Sequence, residues 1–200
     1  MSSDSPETRK RILQATCDLL EASQGRGVRM TDIAKRAGIS RQALYLHFGT
    51  RAELLIASTH HVDVVRSVEE RLVPSRTAAT GAERLDAYIQ AWASYIPQIH
   101  GIAKALIAMS DTDDAAAMAW RDRMRAMRHG CEAAINALRK DKMLSPHYSA
   151  KQATDLLWTL LSVRNWESLT IECGWSQQKY ATTIQLLARR LFVAMQYPTS

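Results

Sequence analysis

The chain has 200 residues, of which 46% are hydrophobic, and its net charge is +6. This composition excludes a disordered tail, because a chain of this length and hydrophobic content can bury a core. No stretch reaches the roughly 20 uninterrupted apolar residues of a membrane span, so we expect no membrane partner. The first ten residues are polar and lack the apolar segment of a signal peptide, which predicts a cytoplasmic location.

Three cysteines lie far apart at positions 17, 131 and 173, without the spacing of a zinc site. They predict neither disulfides nor a bound metal. The sequence also lacks the glycine-rich phosphate loops and the nucleophile or metalloprotease motifs that mark many enzymes. We therefore expect no cofactor and no catalytic residues, and we predict that the chain is not an enzyme.

Apolar residues recur at helical spacing along the whole chain, and Gly and Pro fall between the periodic segments. This pattern predicts an all-α fold of nine helices. In chain order they cover about 6–23, 31–37, 41–48, 51–73, 82–96, 98–109, 115–140, 149–173 and 177–197. Pro74 and Pro97 are expected to end helices, because proline has no backbone N–H to donate.

Residues 30–48 predict two short helices joined by a tight turn, which is the layout of a helix-turn-helix. Gly38 permits a positive φ at the turn, and Ala34 and Ala37 are small enough for the two helices to cross closely. The apolar side chains at positions 33, 39, 44 and 48 are expected to form the shared core.

Residues 1–51 hold nine Lys and Arg against five Asp and Glu, so a quarter of the chain carries most of the basic excess. Such a distribution is typical of nucleic-acid binding, although a basic solvated surface gives the same count. The second predicted helix of the pair leaves five side chains facing outward: Arg41, Gln42, Ala43, Tyr45 and His47. This mixture of cation, amide, methyl and aromatic groups suits contacts in the major groove.

The segment from about residue 9 to 55 resembles the TetR family of transcriptional repressors. The resemblance rests on Ile33-Ala34 with Ala37-Gly38-Ile39-Ser40, on Leu44-Tyr45 with His47-Phe48, and on flanking apolar residues in the helices on either side. It implies a nine-helix architecture with a helix-turn-helix domain at 1–51, connected by a helix at about 51–73 to an effector-binding and dimerisation domain at 52–200.

The same resemblance implies which residues contact DNA. Arg41, Gln42 and Ala43 would face bases, Tyr45 and His47 would contact phosphates or bases, and Arg51 would hold a phosphate. The remaining predicted contacts are Arg29, Thr31 and Thr50. The family commonly caps its second helix with Ser or Thr, but Val28 and Arg29 occupy those places here, so Arg29 is expected to reach a phosphate instead.

The last two predicted helices are apolar on several faces, which predicts that they are covered on several sides. Pairing with a second copy would cover them, and burial within one subunit is the alternative. The predicted contacts of the homodimer are Leu157, Leu161, Ile184, Leu187, Leu191 and Met195.

All five tryptophans follow residue 90, where large and flexible apolar side chains are also frequent. These residues predict a pocket for a small apolar or aromatic effector, with ordinary core packing as the alternative. The candidates are Trp92, Tyr95, His100, Trp120, Met124, Met127, Trp158 and Asn165.

These observations predict a repressor that such an effector releases from a palindromic DNA operator. An activator of the same family is an open alternative. So is an all-α small-molecule carrier or enzyme that has kept a vestigial DNA-binding module.

Overall fold

The computed structural model describes residues 5–23 and 27–194. This part of the chain folds into ten α-helices and one π-helical segment without a β-strand, so the all-α prediction is confirmed and the helix count is one too low. The helices are α1 (Pro6–Ser23), α2 (Met30–Arg36), α3 (Arg41–His47), α4 (Arg51–Val65), α5 (Val68–Arg76), α6 (Gly81–Met109), α7 (Asp114–Lys140), α8 (Ala150–Leu160), α9 (Val163–Glu167) and α10 (Gln177–Phe192).

Helix α1 begins at Pro6, as predicted, because proline suits the first helical position and the preceding residue caps the end. The Ser5 hydroxyl accepts a hydrogen bond from the Thr8 N–H at 3.2 Å. One face of α1 is buried at spacings of three and four residues, which is the pattern of an amphipathic helix. Its buried residues are Thr8, Ile12, Ala15, Thr16, Cys17 and Leu20.

The prediction of one helix from about 51 to 73 is wrong, because the chain breaks between α4 and α5. Arg66 ends α4, and Ser67 adopts a left-handed conformation with φ of 52°. No proline or glycine marks this break, so the sequence pattern gave no sign of it. Pro74, the predicted end, lies inside α5. A single helix therefore does not connect the first fifty residues to the remainder.

The prediction of a helix end at Pro97 is also wrong, because α6 runs through this residue without interruption. Pro97 cannot donate a hydrogen bond to the Ala93 carbonyl one turn earlier. The Gln177 side chain donates its Nε2–H to that carbonyl at 2.5 Å instead. The amide of a distant glutamine thus satisfies the carbonyl that proline would leave unpaired.

The predicted helix from 149 to 173 is divided into three pieces. Leu161 is the C-cap residue of α8, and Ser162 directly after it caps α9 by accepting a hydrogen bond from the Asn165 N–H. A π-helical segment, Ser168–Glu172, follows α9, and Gly174 then turns the chain with φ of 68°. Ser176 caps α10, as predicted.

The chain divides into two compact units. The first contains residues up to 66 together with 98–124, and the second contains 67–97 together with 125–200. Helices α6 and α7 therefore contribute residues to both units. The predicted functional division at residue 51 stays a prediction.

Tyr88 of α6 fits against a glycine of α7 in the second unit. Its hydroxyl donates a hydrogen bond to the Met127 carbonyl at 2.9 Å, and its side chain is buried. A Cβ at Gly130 would lie 2.6 Å from two carbons of this ring, so only glycine allows this close approach. Burial also raises the pKa of the neighbouring Cys131 thiol to about 12.

We expect Gly130→Ala to lower the free energy of unfolding by about 1–3 kcal/mol, because the new methyl group would overlap the buried Tyr88 ring. Urea denaturation measures this change. Gly101→Ala is the matched control, since its Cβ would make an ordinary 3.5 Å contact with Glu21. In that position alanine should stabilise the helix by up to about 1 kcal/mol. Equal effects of the two substitutions would contradict the packing described for Tyr88.

Candidate nucleic-acid interface

The turn between α2 and α3 has the geometry that the sequence predicts. Gly38 has φ of 67°, in the left-handed region that glycine adopts without strain. The Ile39 N–H then donates to the Ala34 carbonyl at 3.0 Å, which closes the end of α2. Ser40 caps α3 by accepting from the Ala43 N–H at 3.0 Å.

Two arginines of α1 hold the carbonyl ends of the two short helices. Arg9 Nη1 donates to the His47 carbonyl at 2.9 Å, and its guanidinium lies 4.1 Å from the centroid of the Phe48 ring. Arg11 Nε donates to the Ala37 carbonyl at 2.8 Å. Both cations therefore lie at helix C-termini, where the helix dipole favours positive charge. In the sequence these arginines contribute only to the count of basic residues, and no local pattern indicates this positioning role.

The inner face of α3 is anchored in the core of the first unit. Leu44 and Phe48 are fully buried, as is Ile33 of α2, which confirms three of the four predicted core residues. Ile39 packs against the same cluster and is partly buried. The orientation of α3 is thus fixed by its apolar side as well as by its ends.

The outer face of α3 exposes most of the side chains predicted to read DNA. Arg41, Gln42 and Tyr45 are exposed, whereas Ala43 and His47 are half-buried. The Arg41 guanidinium lies 5.6 Å from the centroid of the Tyr45 ring, within range of a cation–π contact.

Leu46 was not among the predicted DNA contacts, although it is also on this face and is 77% exposed. Its angular position was calculable from the sequence, because it lies about 180° from the buried pair Leu44 and Phe48 at 100° per residue.

The predicted DNA contacts outside α3 lie at the start of α2 and at the start of α4. Arg29 precedes α2 and is exposed, and its side chain makes no cap, so α2 lacks the side-chain cap that is common in the resembled family. Thr31 is exposed. Thr50 caps α4 by accepting from the Glu53 N–H at 3.1 Å, while the Glu53 carboxylate accepts from the Gly49 N–H.

Arg51 is engaged within the first unit. Its Nη1 lies 2.5 Å from an oxygen of Asp113, and its Nη2 donates to the Val28 carbonyl at 2.9 Å. Asp113 in turn accepts hydrogen bonds from the Ala115 and Ala116 N–H groups at the start of α7. The predicted phosphate contact of Arg51 stays a prediction.

A groove of about 720 Å³ lies in the first unit, lined mainly by α1 and α4. None of the predicted effector-pocket residues lines it. His61 is at its edge with a buried Nε2 that has no hydrogen-bond partner among the described residues. Burial lowers the pKa of His61, and the nearby Lys10 lowers it further. The imidazole is thus favoured in its neutral form.

The eight predicted pocket residues are divided between the two units. His100, Trp120 and Met124 belong to the first unit. The other five belong to the second: Trp92, Tyr95, Met127, Trp158 and Asn165. Neither unit therefore gathers the full predicted set.

Within the second unit, Trp92 and Tyr95 of α6 make an edge-to-face contact with ring centroids 6.3 Å apart. Asn165 uses its amide to donate to the Thr159 carbonyl at 2.7 Å.

Tyr180 of α10 was not among the predicted pocket residues, yet it carries an unusual polar group. It is fully buried in the second unit, and its hydroxyl makes no hydrogen bond with the described residues. The Trp92 indole nitrogen is likewise buried and without a bonded partner. Burial raises the pKa of the Tyr180 hydroxyl, and a hydrogen-bond interaction with the Trp92 indole partly lowers it, so these two buried polar groups lie close together although neither makes a hydrogen bond of normal geometry with the described residues.

Three of the predicted dimer contacts need correction. Leu157, Leu161 and Ile184 are fully or almost fully buried within the chain itself, because they lie on the inner faces of their helices. Leu187 is 40% exposed, and Leu191 is half-buried. Met195 lies outside the described residues. Within residues 149–194, the exposed large apolar side chains that were not among the predicted contacts are Leu156, Ile171 and Leu186.

Two further features bear on the predicted partners. Across residues 5–23 and 27–194, no three His, Cys, Asp or Glu side chains come together as a metal site. In the same part of the chain, no helix is both long and apolar enough to cross a membrane.

Comparison with known proteins gives matches over both the N-terminal segment and the whole fold. Residues 12–58 match the family model of bacterial regulatory proteins of the tetR family. The nucleoid occlusion factor SlmA of Marinomonas sp. (strain MWYL1) is 39% identical over 54 residues, which are 27% of each chain. The HTH-type transcriptional activator FasR of Mycolicibacterium smegmatis is 34% identical over 92 residues, 45% of this chain and 41% of FasR. The chain thus aligns with less than half the length of these relatives.

Solved structures match the fold at low sequence identity. NalD of Pseudomonas aeruginosa, the secondary repressor of the MexAB-OprM multidrug efflux pump, has a TM-score of 0.69 and is 22% identical, over 95% of this chain and 98% of NalD. A TetR transcription regulator of Haloarcula marismortui has the same TM-score and is 16% identical, over 95% of this chain and all of that one. The helix-turn-helix segment of the chain thus matches the family model of the tetR regulatory proteins, and the fold around it is similar to that of these solved structures.

Proposed function

We propose that the chain is a DNA-binding transcriptional regulator whose α3 reads the major groove. The observation that carries this proposal is the outer face of α3, where Arg41, Gln42 and Tyr45 are exposed while both ends of the helix are held by capping groups. A rigid, polar and basic helix face is suited to base edges and phosphates. Such a protein acts where chromosomal DNA lies, so we place it in the cytoplasm.

One seven-residue helix reads only a few base pairs, so we propose that two copies bind a palindromic operator as a homodimer. The outer faces of α8 and α10 support this part of the proposal, because Leu156, Leu186 and Leu187 are each at least 40% exposed there. Apolar side chains grouped on a surface favour an interaction site.

The second unit is the proposed binding site of a small apolar or aromatic effector that releases the repressor from DNA. The support is chemical: the Tyr180 hydroxyl and the Trp92 indole N–H are buried close to each other, and neither makes a hydrogen bond of normal geometry with the described residues. Buried polar groups of this kind are costly unless a partner satisfies them. An effector with one hydrogen-bond acceptor on an apolar body would supply that partner.

Selection of binding sites from a random duplex library tests the proposed function. We expect an enriched palindrome whose half-sites lie about one helical turn of DNA apart. Repeating the binding over a salt series separates phosphate attraction from base contacts. A library without any enriched sequence, bound only at low salt, would contradict the regulator and favour a carrier with a vestigial DNA-binding module.

Arg41→Ala should weaken binding to the selected duplex by about 1–3 kcal/mol and relax discrimination at one base pair, because an exposed base-reading cation is lost. Fluorescence anisotropy on the selected and single-mismatch duplexes measures both effects. Arg139→Ala removes the same charge from the last turn of α7 and is the control. Equal losses for the two variants would mean that Arg41 contributes only general electrostatic attraction.

Tyr180→Phe should raise the free energy of unfolding of the effector-free protein, by up to about 1 kcal/mol, because it removes a buried hydroxyl that has no partner. Tyr88→Phe is the matched control and should lower it by a similar amount, since the Tyr88 hydroxyl donates to the Met127 carbonyl. Urea denaturation measures both. A lower free energy of unfolding for Tyr180→Phe would show that the hydroxyl already has a hydrogen-bond partner, and it would contradict the proposed effector contact.

A further inference from the structure

Leu46 is in the middle of the most outward strip of α3. It is 77% exposed and lies on the side of the helix opposite the buried Leu44 and Phe48. The residue one turn earlier on the same strip, Gln42, is also exposed. A binding partner that covers the outer face of α3 would therefore contact Leu46.

Exposure by itself does not assign a role to Leu46, because single exposed apolar side chains are common on protein surfaces. Val64 of α4 shows this, since it is equally exposed at 77% and is not on α3. The position of Leu46 distinguishes it. Its backbone is fixed by the Ser40 cap at one end of α3 and by the Arg9 bond to the His47 carbonyl at the other.

The chemistry of leucine limits what it can recognise in DNA. Its side chain neither donates nor accepts hydrogen bonds, so it cannot read the amide, amino or ring-nitrogen groups of base edges. In unmodified DNA, the apolar group that bases present in the major groove is the C5-methyl of thymine. The exposed polar side chains of α3, Gln42 and Arg41, are available for the hydrogen-bonding groups of the neighbouring base edges.

We propose that Leu46 is a specificity-determining residue that packs against the C5-methyl group of a thymine in each half-site. This inference rests on the proposed function, since it requires α3 to enter the major groove. It adds a prediction about operator sequence: each half-site contains a thymine whose methyl group contributes to affinity.

A uracil scan of the selected operator tests this inference on the full-length protein. Each thymine of the half-site is replaced in turn by deoxyuridine, which removes the methyl group and keeps every hydrogen-bonding group of the base. Dissociation constants are measured by fluorescence anisotropy at one salt concentration. For the unmodified protein we expect one position at which each lost methyl weakens binding about fourfold, as the burial of one methyl group predicts.

The Leu46→Ala variant decides whether Leu46 makes this contact. Alanine is a strong helix former at an exposed position, so α3 is expected to fold normally. The variant should bind the thymine duplex more weakly, and the uracil substitution at the sensitive position should then have no further effect. Val64→Ala, which truncates an equally exposed side chain, should keep the full sensitivity to uracil.

Each outcome bears on a separate claim. A uracil scan with no sensitive position, or a Leu46→Ala variant with unchanged sensitivity, would overturn the role of Leu46 and leave DNA binding by α3 intact. Failure to select any duplex sequence would overturn the proposed function and this inference together.

Discussion

The orientation of α3 depends on groups outside it, because a seven-residue helix is not stable by itself in water. Ser40 satisfies its N-terminus, and the Arg9 guanidinium binds the His47 carbonyl and lies over the Phe48 ring. Leu44 and Phe48 fix its rotation, since both are fully buried. The outer face of α3 can present side chains in fixed positions because these contacts leave the short helix little freedom.

Contacts of this kind give several of the basic residues near the N-terminus a structural role. Arg9, Arg11 and Arg51 are bonded to carbonyl or carboxylate groups of the first unit. Part of the basic excess therefore stabilises helix ends and links α4 to the start of α7. Fewer guanidinium N–H groups remain for phosphates than the residue count indicates, whereas exposed residues such as Arg29 and Arg41 present theirs to solvent.

Residues that are close in sequence predicted helix bounds and turns well. Interactions between residues distant in sequence explain most of the predictions that were wrong. The bounds of α1 and the turn at Gly38 followed from neighbouring residues. Pro97 failed as a helix end because Gln177, eighty-four positions beyond Ala93, binds the Ala93 carbonyl that proline leaves unpaired. Leu46 was missed for another reason: the sequence fixes its angle, but an apolar residue was not expected among DNA-reading side chains. Leu157 was misplaced because periodicity does not identify which neighbour covers an apolar face.

The break at Ser67 also changes how an effector could act on DNA binding. A continuous helix from residue 51 to 73 would transmit a movement of one of its ends directly to the other. Instead, Ser67 adopts a left-handed backbone conformation at the residue where one compact unit ends and the other begins. Helix α6, by contrast, stays helical where it passes from one unit to the other at residues 97 and 98. One turn before that point, Gln177 of α10 binds the Ala93 carbonyl that Pro97 leaves without its usual donor. Tyr180 lies three residues further along α10, so an effector beside Tyr180 would be close to this bond between α10 and α6.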